Sequence, residues 1–145
     1  MGKMQNYIRK VNYYETDKMG ITHHSNYIRW MEEARIDFLE QIGFGYAKLE
    51  ADGIVSPIIG VECEYKATTT FGDAVEISVE IEEFKGVLLV IRYTMTKCGG
   101  EVVLCGKTKH CFLNRDGKPI MLRKQFPEFD AKLKELVRSQ NEDCK

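Results

Sequence analysis

The most concentrated set of reactive groups in this chain is Asp17, Gly20, His23, His24 and Ser25, directly ahead of a helical pattern that opens at Asn26. The first turn of an α-helix has backbone N–H groups without partners and a partial positive charge. Such donors can hold a carbonyl oxygen as it becomes an oxyanion, often the largest single term in catalysis. A carboxylate upstream, as Asp17 is, can fold back beside that carbonyl and act as nucleophile or as general base toward water. Each residue also has a plainer use. Asp17 can be a turn-former, and Gly20 can simply supply a positive φ. His23 and His24 can be a surface pair. Asp17, His23 and His110 match no metal-ligand spacing, so no metal is expected. Glu32 and Glu33 read as a solvated helix face with Arg35 pairing one of them, and His110 as a packed or hydrogen-bonded histidine. No G-x-S-x-G, Walker A or G-x-G-x-x-G motif is present, which removes support for triad hydrolases and nucleotide folds.

Several elements must position these groups. Asn6 to Glu15 reads as a first strand, with Ile8 and Val11 as its apolar residues, and 16–25 as a loop. From Asn26 the period becomes helical: Tyr27, Met31, Ala34, Phe38 and Ile42 form one apolar stripe, widened by Trp30 and Leu39. Ser25 is the expected N-cap and Gly43 the expected C′ residue. A short helix over Tyr46–Ala51 closes at Asp52-Gly53. The period then becomes two: Ile59, Val61, Cys63 and Tyr65; Val75, Ile77, Val79 and Ile81; Leu89, Ile91, Tyr93 and Met95; and a last strand from Val102 to Leu113. The turns between them, such as Lys85-Gly86 and Cys98-Gly99-Gly100, are too short for parallel crossovers, so the neighbours are antiparallel. A final helix over about 127–139 starts at Pro127, with Phe129, Leu133 and Leu136 inward. The order predicts an α+β fold, a curved antiparallel five-stranded sheet wrapped around one long central helix.

A length of 145 residues predicts a single domain over 1–145. At 43% hydrophobic and 30% charged, the chain has an ordinary globular composition. Lys+Arg 21 against Asp+Glu 22 leaves a net charge of -1, without the basic excess a nucleic-acid binder needs. No apolar run approaches the ~18 residues of a membrane span, and the first residues form no signal-peptide core. A cytoplasmic protein is expected. The cysteines (Cys63, Cys98, Cys105, Cys111 and Cys144) are odd in number and form no C-x-x-C pair, so they read as reduced thiols.

The stretch Tyr14-Glu15-Thr16-Asp17-Lys18-Met19-Gly20-Ile21-Thr22-His23-His24-Ser25-Asn26-Tyr27, followed by Met31-Glu32-Glu33-Ala34-Arg35, resembles the hotdog-fold acyl-CoA thioesterases. It is most similar to the 4-hydroxybenzoyl-CoA thioesterase group, YbgC-like enzymes included. The family pattern is Thr-Asp, a Gly three on, His-x-x-Tyr, then Glu-x-Ala-Arg. Cys63-Glu64-Tyr65 and Phe71-Gly72-Asp73 also look like the family's second strand and its turn, so the resemblance spans about residues 6 to 125. It implies a long helix wrapped by an antiparallel sheet, and homodimers joined sheet edge to sheet edge, often paired into homotetramers, with active sites between subunits. It also implies Asp17 as the catalytic carboxylate and the His24 backbone N–H as the group that polarises the thioester carbonyl. Gly20, His23, Ser25 and Tyr27 are the accompanying substrate-binding candidates. The chain departs from many relatives at Lys66-Ala67-Thr68-Thr69-Thr70, where a Pro is common, and at Thr22 and His23, which bear on the acyl-facing wall.

The chemistry agrees with the resemblance. A thiolate, from a thiol ionising near about pH 8.5, leaves far more easily than an alkoxide, so one carboxylate and an oxyanion site can suffice. The resemblance implies an acyl-CoA or an acyl-carrier-protein thioester as substrate, and no cofactor is expected. Lys66, Lys85, Arg92, Lys107 and Lys109 are available for the phosphates of CoA. Two other readings stand beside hydrolysis: a hotdog hydratase or dehydratase, and a non-catalytic acyl-binding or scaffold protein on the same fold.

Overall fold

The computed structural model describes residues 4–98 and 100–143; Cys144 lies outside them. Strand β1 (Tyr7–Lys10) and a 3-10 turn (Tyr13–Glu15) lead to helices α1 (Ser25–Gln41) and α2 (Tyr46–Ala51). Strands β2 (Ile58–Tyr65), β3 (Ala74–Lys85), β4 (Leu88–Lys97) and β5 (Val102–His110) follow, then α3 (Leu122–Gln125) and α4 (Pro127–Asp143). The strands form one five-stranded sheet in the order β1-β3-β4-β5-β2, with β1 antiparallel to β3 through pairs such as Tyr7↔Ile77 and Arg9↔Val75. This is the expected α+β antiparallel architecture.

The chain packs as two compact units. The first comprises Met1–Phe38, Cys63–Val79 and Tyr93–Gly106. Its core is the stripe Tyr27, Trp30, Met31, Ala34 and Phe38 of α1 with Val75, Ile77, Tyr93, Met95, Val103 and Leu104, all buried. The second comprises Leu39–Glu62, Glu80–Arg92 and Lys107–Lys145. Aromatic rings organise it: Phe129 stacks on Phe44 at 4.8 Å and meets Phe112 edge-on at 5.9 Å, while Phe84 meets Phe112 edge-on at 6.4 Å. A cavity of about 250 Å³ opens in this unit between α2 and the start of α4, lined by Phe44, Leu49, Ile54, Phe126 and Phe129 among others.

Four expectations need correction. The first strand is shorter than Asn6–Glu15: pairing ends at Lys10, and the chain tightens into the 3-10 turn over Tyr13–Glu15. Its inward residues are Tyr7 and Arg9, not Ile8, because their polar ends find partners on the inner side. Ser25 is the first residue of α1 rather than its N-cap, and its N–H donates to His23 Nδ1 at 3.2 Å. Finally, β2 shows no single buried face: Ile58, Ile59, Val61 and Tyr65 are all exposed, Ile59 at 59%. The physical reason is that within this chain neither face of this edge strand is covered along its length, so its apolar alternation meets no core.

Helix α1 stops where its sequence says it should. Gly43 has φ 90, its N–H donates to Glu40 O at 3.1 Å, and the Phe44 N–H donates to Leu39 O at 3.0 Å. Those two bonds are the Schellman pattern, which satisfies carbonyls the helix leaves open. A methyl group on Gly43 would meet nothing within 4 Å, so only its backbone conformation is at stake. Gly43→Ala is expected to cost about 1 kcal/mol, the steric penalty of a left-handed residue bearing a Cβ, read as a lower midpoint in urea unfolding.

Candidate functional site

Residues 16–25, expected as plain loop, contain a tight hairpin. Thr16 and Thr22 form an antiparallel bridge, and the Asp17 N–H donates to Ile21 O at 2.9 Å. At its tip the Gly20 N–H donates to Asp17 O at 2.9 Å, and Gly20 turns the chain with φ 80. The Asp17 carboxylate is partly exposed. Its Oδ1 accepts the Met19 N–H at 2.8 Å, and Oδ2 has no donor among the described residues. One carboxylate oxygen is therefore oriented by the turn and the other is open.

At the base of the hairpin the His23 N–H donates to Glu15 O at 2.9 Å, which seats the start of α1 beside it. His23 and His24 are exposed and stack at 4.3 Å, and His23 Nδ1 lies 2.9 Å from Ser25 Oγ. Of the two main-chain polar groups of His24, only the carbonyl is engaged among the described residues. Its carbonyl accepts the Tyr27 N–H at 3.3 Å and the Tyr65 hydroxyl at 3.3 Å, while its N–H has no acceptor among the described residues. The first turn of α1 carries no acidic side chain of its own to offset the helix's positive end. Tyr27, by contrast, is buried. Its hydroxyl meets Thr69 Oγ1 at 2.9 Å, and Thr69 Oγ1 meets Thr22 Oγ1 at 2.6 Å, a row of hydroxyls tying hairpin, helix and the segment before β3.

Beneath the hairpin lies a charged network that nothing in the sequence pattern singled out. Glu15 is 4% exposed. Its carboxylate accepts the Asn12 N–H at 2.8 Å, the Trp30 indole N–H at 2.9 Å, and Arg9 Nη1 and Nη2 at 2.8 and 2.9 Å. Arg9 Nε also donates to Glu33 Oε1 at 2.9 Å, and the guanidinium lies 5.6 Å from the centroid of the Trp30 ring. Glu33, expected on a solvated face, thus joins β1 to α1 and accepts the Tyr7 hydroxyl as well. Arg35 pairs with neither glutamate among the described residues, and its Nη1 is buried without a hydrogen-bond partner there. One signal for the network was present: an indole inside an apolar stripe needs an acceptor for its N–H.

Burial pushes the Glu15 carboxyl up, but the Asn12, Trp30 and Arg9 donors outweigh it and hold the group below its ordinary range. Burial likewise opposes the Arg9 charge, and the hydrogen bonds to Glu33 and Glu15 raise its pKa all the same.

Four of the candidate phosphate-binding cations are engaged in ion pairs: Lys66 with Glu64, Lys85 with Glu83, Arg92 with Glu80, and Lys107 with Glu82. Lys109 has no ion pair among the described residues, and its stem lies over Gly60. His110 is buried with Nε2 at 2.7 Å from Thr108 Oγ1, as expected of a packed histidine. Cys63, Cys98, Cys105 and Cys111 are free thiols, and burial raises the pKa of Cys63. Among the described residues no cluster of His, Cys, Asp and Glu could hold a metal ion, and no helix is long and apolar enough to cross a membrane.

Comparison with known proteins places this geometry in context. The profile of the Thioesterase-like superfamily matches residues 11–137. A Bacillus subtilis protein named "Putative acyl-CoA thioesterase YneP" is 33% identical over 121 residues, 83% of this chain and 88% of its own. The solved DHNA-CoA thioesterase of Staphylococcus aureus is 31% identical with a TM-score of 0.89, covering 97% of this chain and 95% of that one. A solved gentisyl-coenzyme A thioesterase is 30% identical with a TM-score of 0.77, covering 83% and 98%. The hotdog fold expected from the sequence is the fold of these structures.

A group whose folded pKa is depressed adds stability above its unfolded pKa and loses it as pH falls. For Glu15 that places the loss at and below the ordinary value of 4.5. Wild type should therefore exceed Glu15→Gln in stability at neutral pH, with the gap narrowing on acidification through that value. Urea midpoints of both proteins across this range measure it.

Proposed function

Because the chain belongs to the Thioesterase-like superfamily and is an acyl-CoA thioester hydrolase, we propose that Asp17 and the backbone N–H of His24 carry its reaction. The observation that supports this most is the open His24 N–H in an acid-free first turn, joined through one short hairpin to a carboxylate with one open oxygen. The substrate carbonyl oxygen accepts the His24 N–H, which draws electron density from the carbonyl carbon and steadies the oxyanion. Asp17 then attacks that carbon, or removes a proton from the water that does. The C–S bond breaks, CoA departs as a thiolate, and one water is consumed for each acid and thiol released. Gly20 sets the turn that aims Asp17, His23 and Ser25 fasten the helix start beside the substrate, and buried Tyr27 anchors it from beneath, so these four residues shape the binding site rather than react. No cofactor is required by this scheme.

The acyl group is proposed to carry an aromatic ring. Two structural relatives above the level of mere fold likeness are named for DHNA-CoA and gentisyl-CoA. In this chain, the segment that leads into the hairpin exposes Tyr13 at 75%, set edge-on at 5.8 Å to Phe71, itself exposed at 61%. Exposed aromatic faces of this kind suit a flat acyl group or a subunit boundary.

The chain is further proposed to work as one thioesterase domain over 1–145 and as a homodimer. An apolar edge strand such as β2 is an open template for a second strand, and a second copy closing it would cover Ile59 and Val61.

Asp17→Asn should fold normally and lose roughly 10²-fold in kcat, the low end for a positioned acid–base group, in an assay of released thiol over short-chain, long-chain and aromatic acyl-CoAs. Wild-type kcat in that variant would overturn the assignment of Asp17. Preference for an aliphatic ester would overturn the substrate class and leave the reaction standing. In light scattering coupled to size exclusion, Ile59→Lys should shift the protein toward monomers; an unchanged assembly would remove β2 from the interface.

A further inference from the structure

Glu15 is buried and lies two residues ahead of Asp17, and its side chain and its carbonyl are both engaged. Its carboxylate holds the Asn12 N–H, the Trp30 indole and the Arg9 guanidinium, and so grips the turn, α1 and β1 together. Its carbonyl accepts the His23 N–H at 2.9 Å and Asn26 Nδ2 at 3.0 Å, the residues on either side of the first helical turn's start. The next peptide on one side is that of His24, and the next rungs on the other are Thr16 and Asp17. We infer that Glu15 is a positioning residue for the hydrolysis, fixing through its own main chain the direction of the His24 N–H and the base of the hairpin that carries Asp17.

This rests on the assignment of Asp17 and His24 above. The side chain is suited to the task because it cannot drift. Asn12, Arg9 and Trp30 come from different elements, and a buried carboxylate that moved from any of them would leave a donor or a charge unsatisfied. Arg9 is itself held by Glu33 and by the carbonyl of Lys10 at 2.7 Å, so the clamp is closed on its far side too. A loss of about 1 Å in the placement of an oxyanion donor is enough to cost on the order of 10²-fold in rate, which is why such support matters to turnover more than to binding.

Glu15→Gln keeps the shape and an acceptor oxygen but presents an amide nitrogen to Arg9. Measured well below its own unfolding transition, it should lose at least about 10-fold in kcat with KM within about twofold of wild type, a transition-state loss without a binding loss. Trp30→Phe removes a single donor to the same carboxylate and should lower kcat at least about threefold, again at unchanged KM. Asp17→Asn is assayed alongside. An inactive Asp17→Asn with kcat near wild type in Glu15→Gln overturns the inference alone, as does a loss expressed in KM only. Wild-type turnover in Asp17→Asn overturns the assignment of Asp17 and this inference with it. Should Glu15→Gln not fold, Trp30→Phe decides: kcat within about 1.5-fold of wild type overturns the role.

Discussion

One buried carboxylate organises the first unit. Taking the charge of Glu15 out of water is costly, and it is tolerated because Arg9 meets it with two parallel N–H groups while Asn12 and Trp30 occupy the remaining lone pairs. Strand, turn and long helix must therefore come together in one arrangement or leave a charge stranded. That requirement makes the local geometry specific in a way apolar packing alone would not, since apolar side chains of similar size repack with little loss. The hairpin and the helix start inherit that definition, being bonded to the same residue's carbonyl.

The polar row above it has a complementary part. Thr22, Thr69 and Tyr27 are buried and linked hydroxyl to hydroxyl. They hold the second side of the hairpin to the segment before β3, where the Thr22 N–H also donates to Thr69 O at 2.8 Å. The Thr-rich stretch before β3 thus has a definite use: Thr69 supplies the hydroxyl that links those of Thr22 and Tyr27. Between the clamp below and the hydroxyls above, the hairpin tip is left to turn freely into solvent with Lys18, Met19 and Gly20 exposed. The base of the hairpin is thus bonded on both sides while its tip is exposed.

Much of this architecture was legible from periodicity. The stripe from Tyr27 to Ile42 is buried, Gly43 ends the helix as the C′ residue, and Pro127 opens α4. The readings of β1 and β2 failed for different reasons. Hydrophobic pattern reports which face is covered only when apolar residues do the covering. In β1 the covered residues are Tyr7 and Arg9, whose partners lie on α1 and in the turn, far off in sequence. In β2 the apolar residues alternate in sequence, but within this chain no core covers the face they form. Asp17 and His24 were singled out in the sequence because turn and helix-start chemistry is local. Glu15 was not, because its importance lies in contacts that no spacing in the sequence announces.

The chain has a single tryptophan, Trp30, and it sits inside the clamp, with its indole N–H on Glu15 and a guanidinium near its ring. The second unit is built instead around Phe44, Phe84, Phe112 and Phe129, which are nearly dark when excitation is tuned to indole. The protein thus has an intrinsic optical label confined to one half of its fold. Emission followed during denaturation reports the fate of the strand–turn–helix junction, whereas far-ultraviolet dichroism averages every helix and strand. Coincident curves from the two would mean that both halves melt as one cooperative body; separated curves would reveal an intermediate and say which half it had lost.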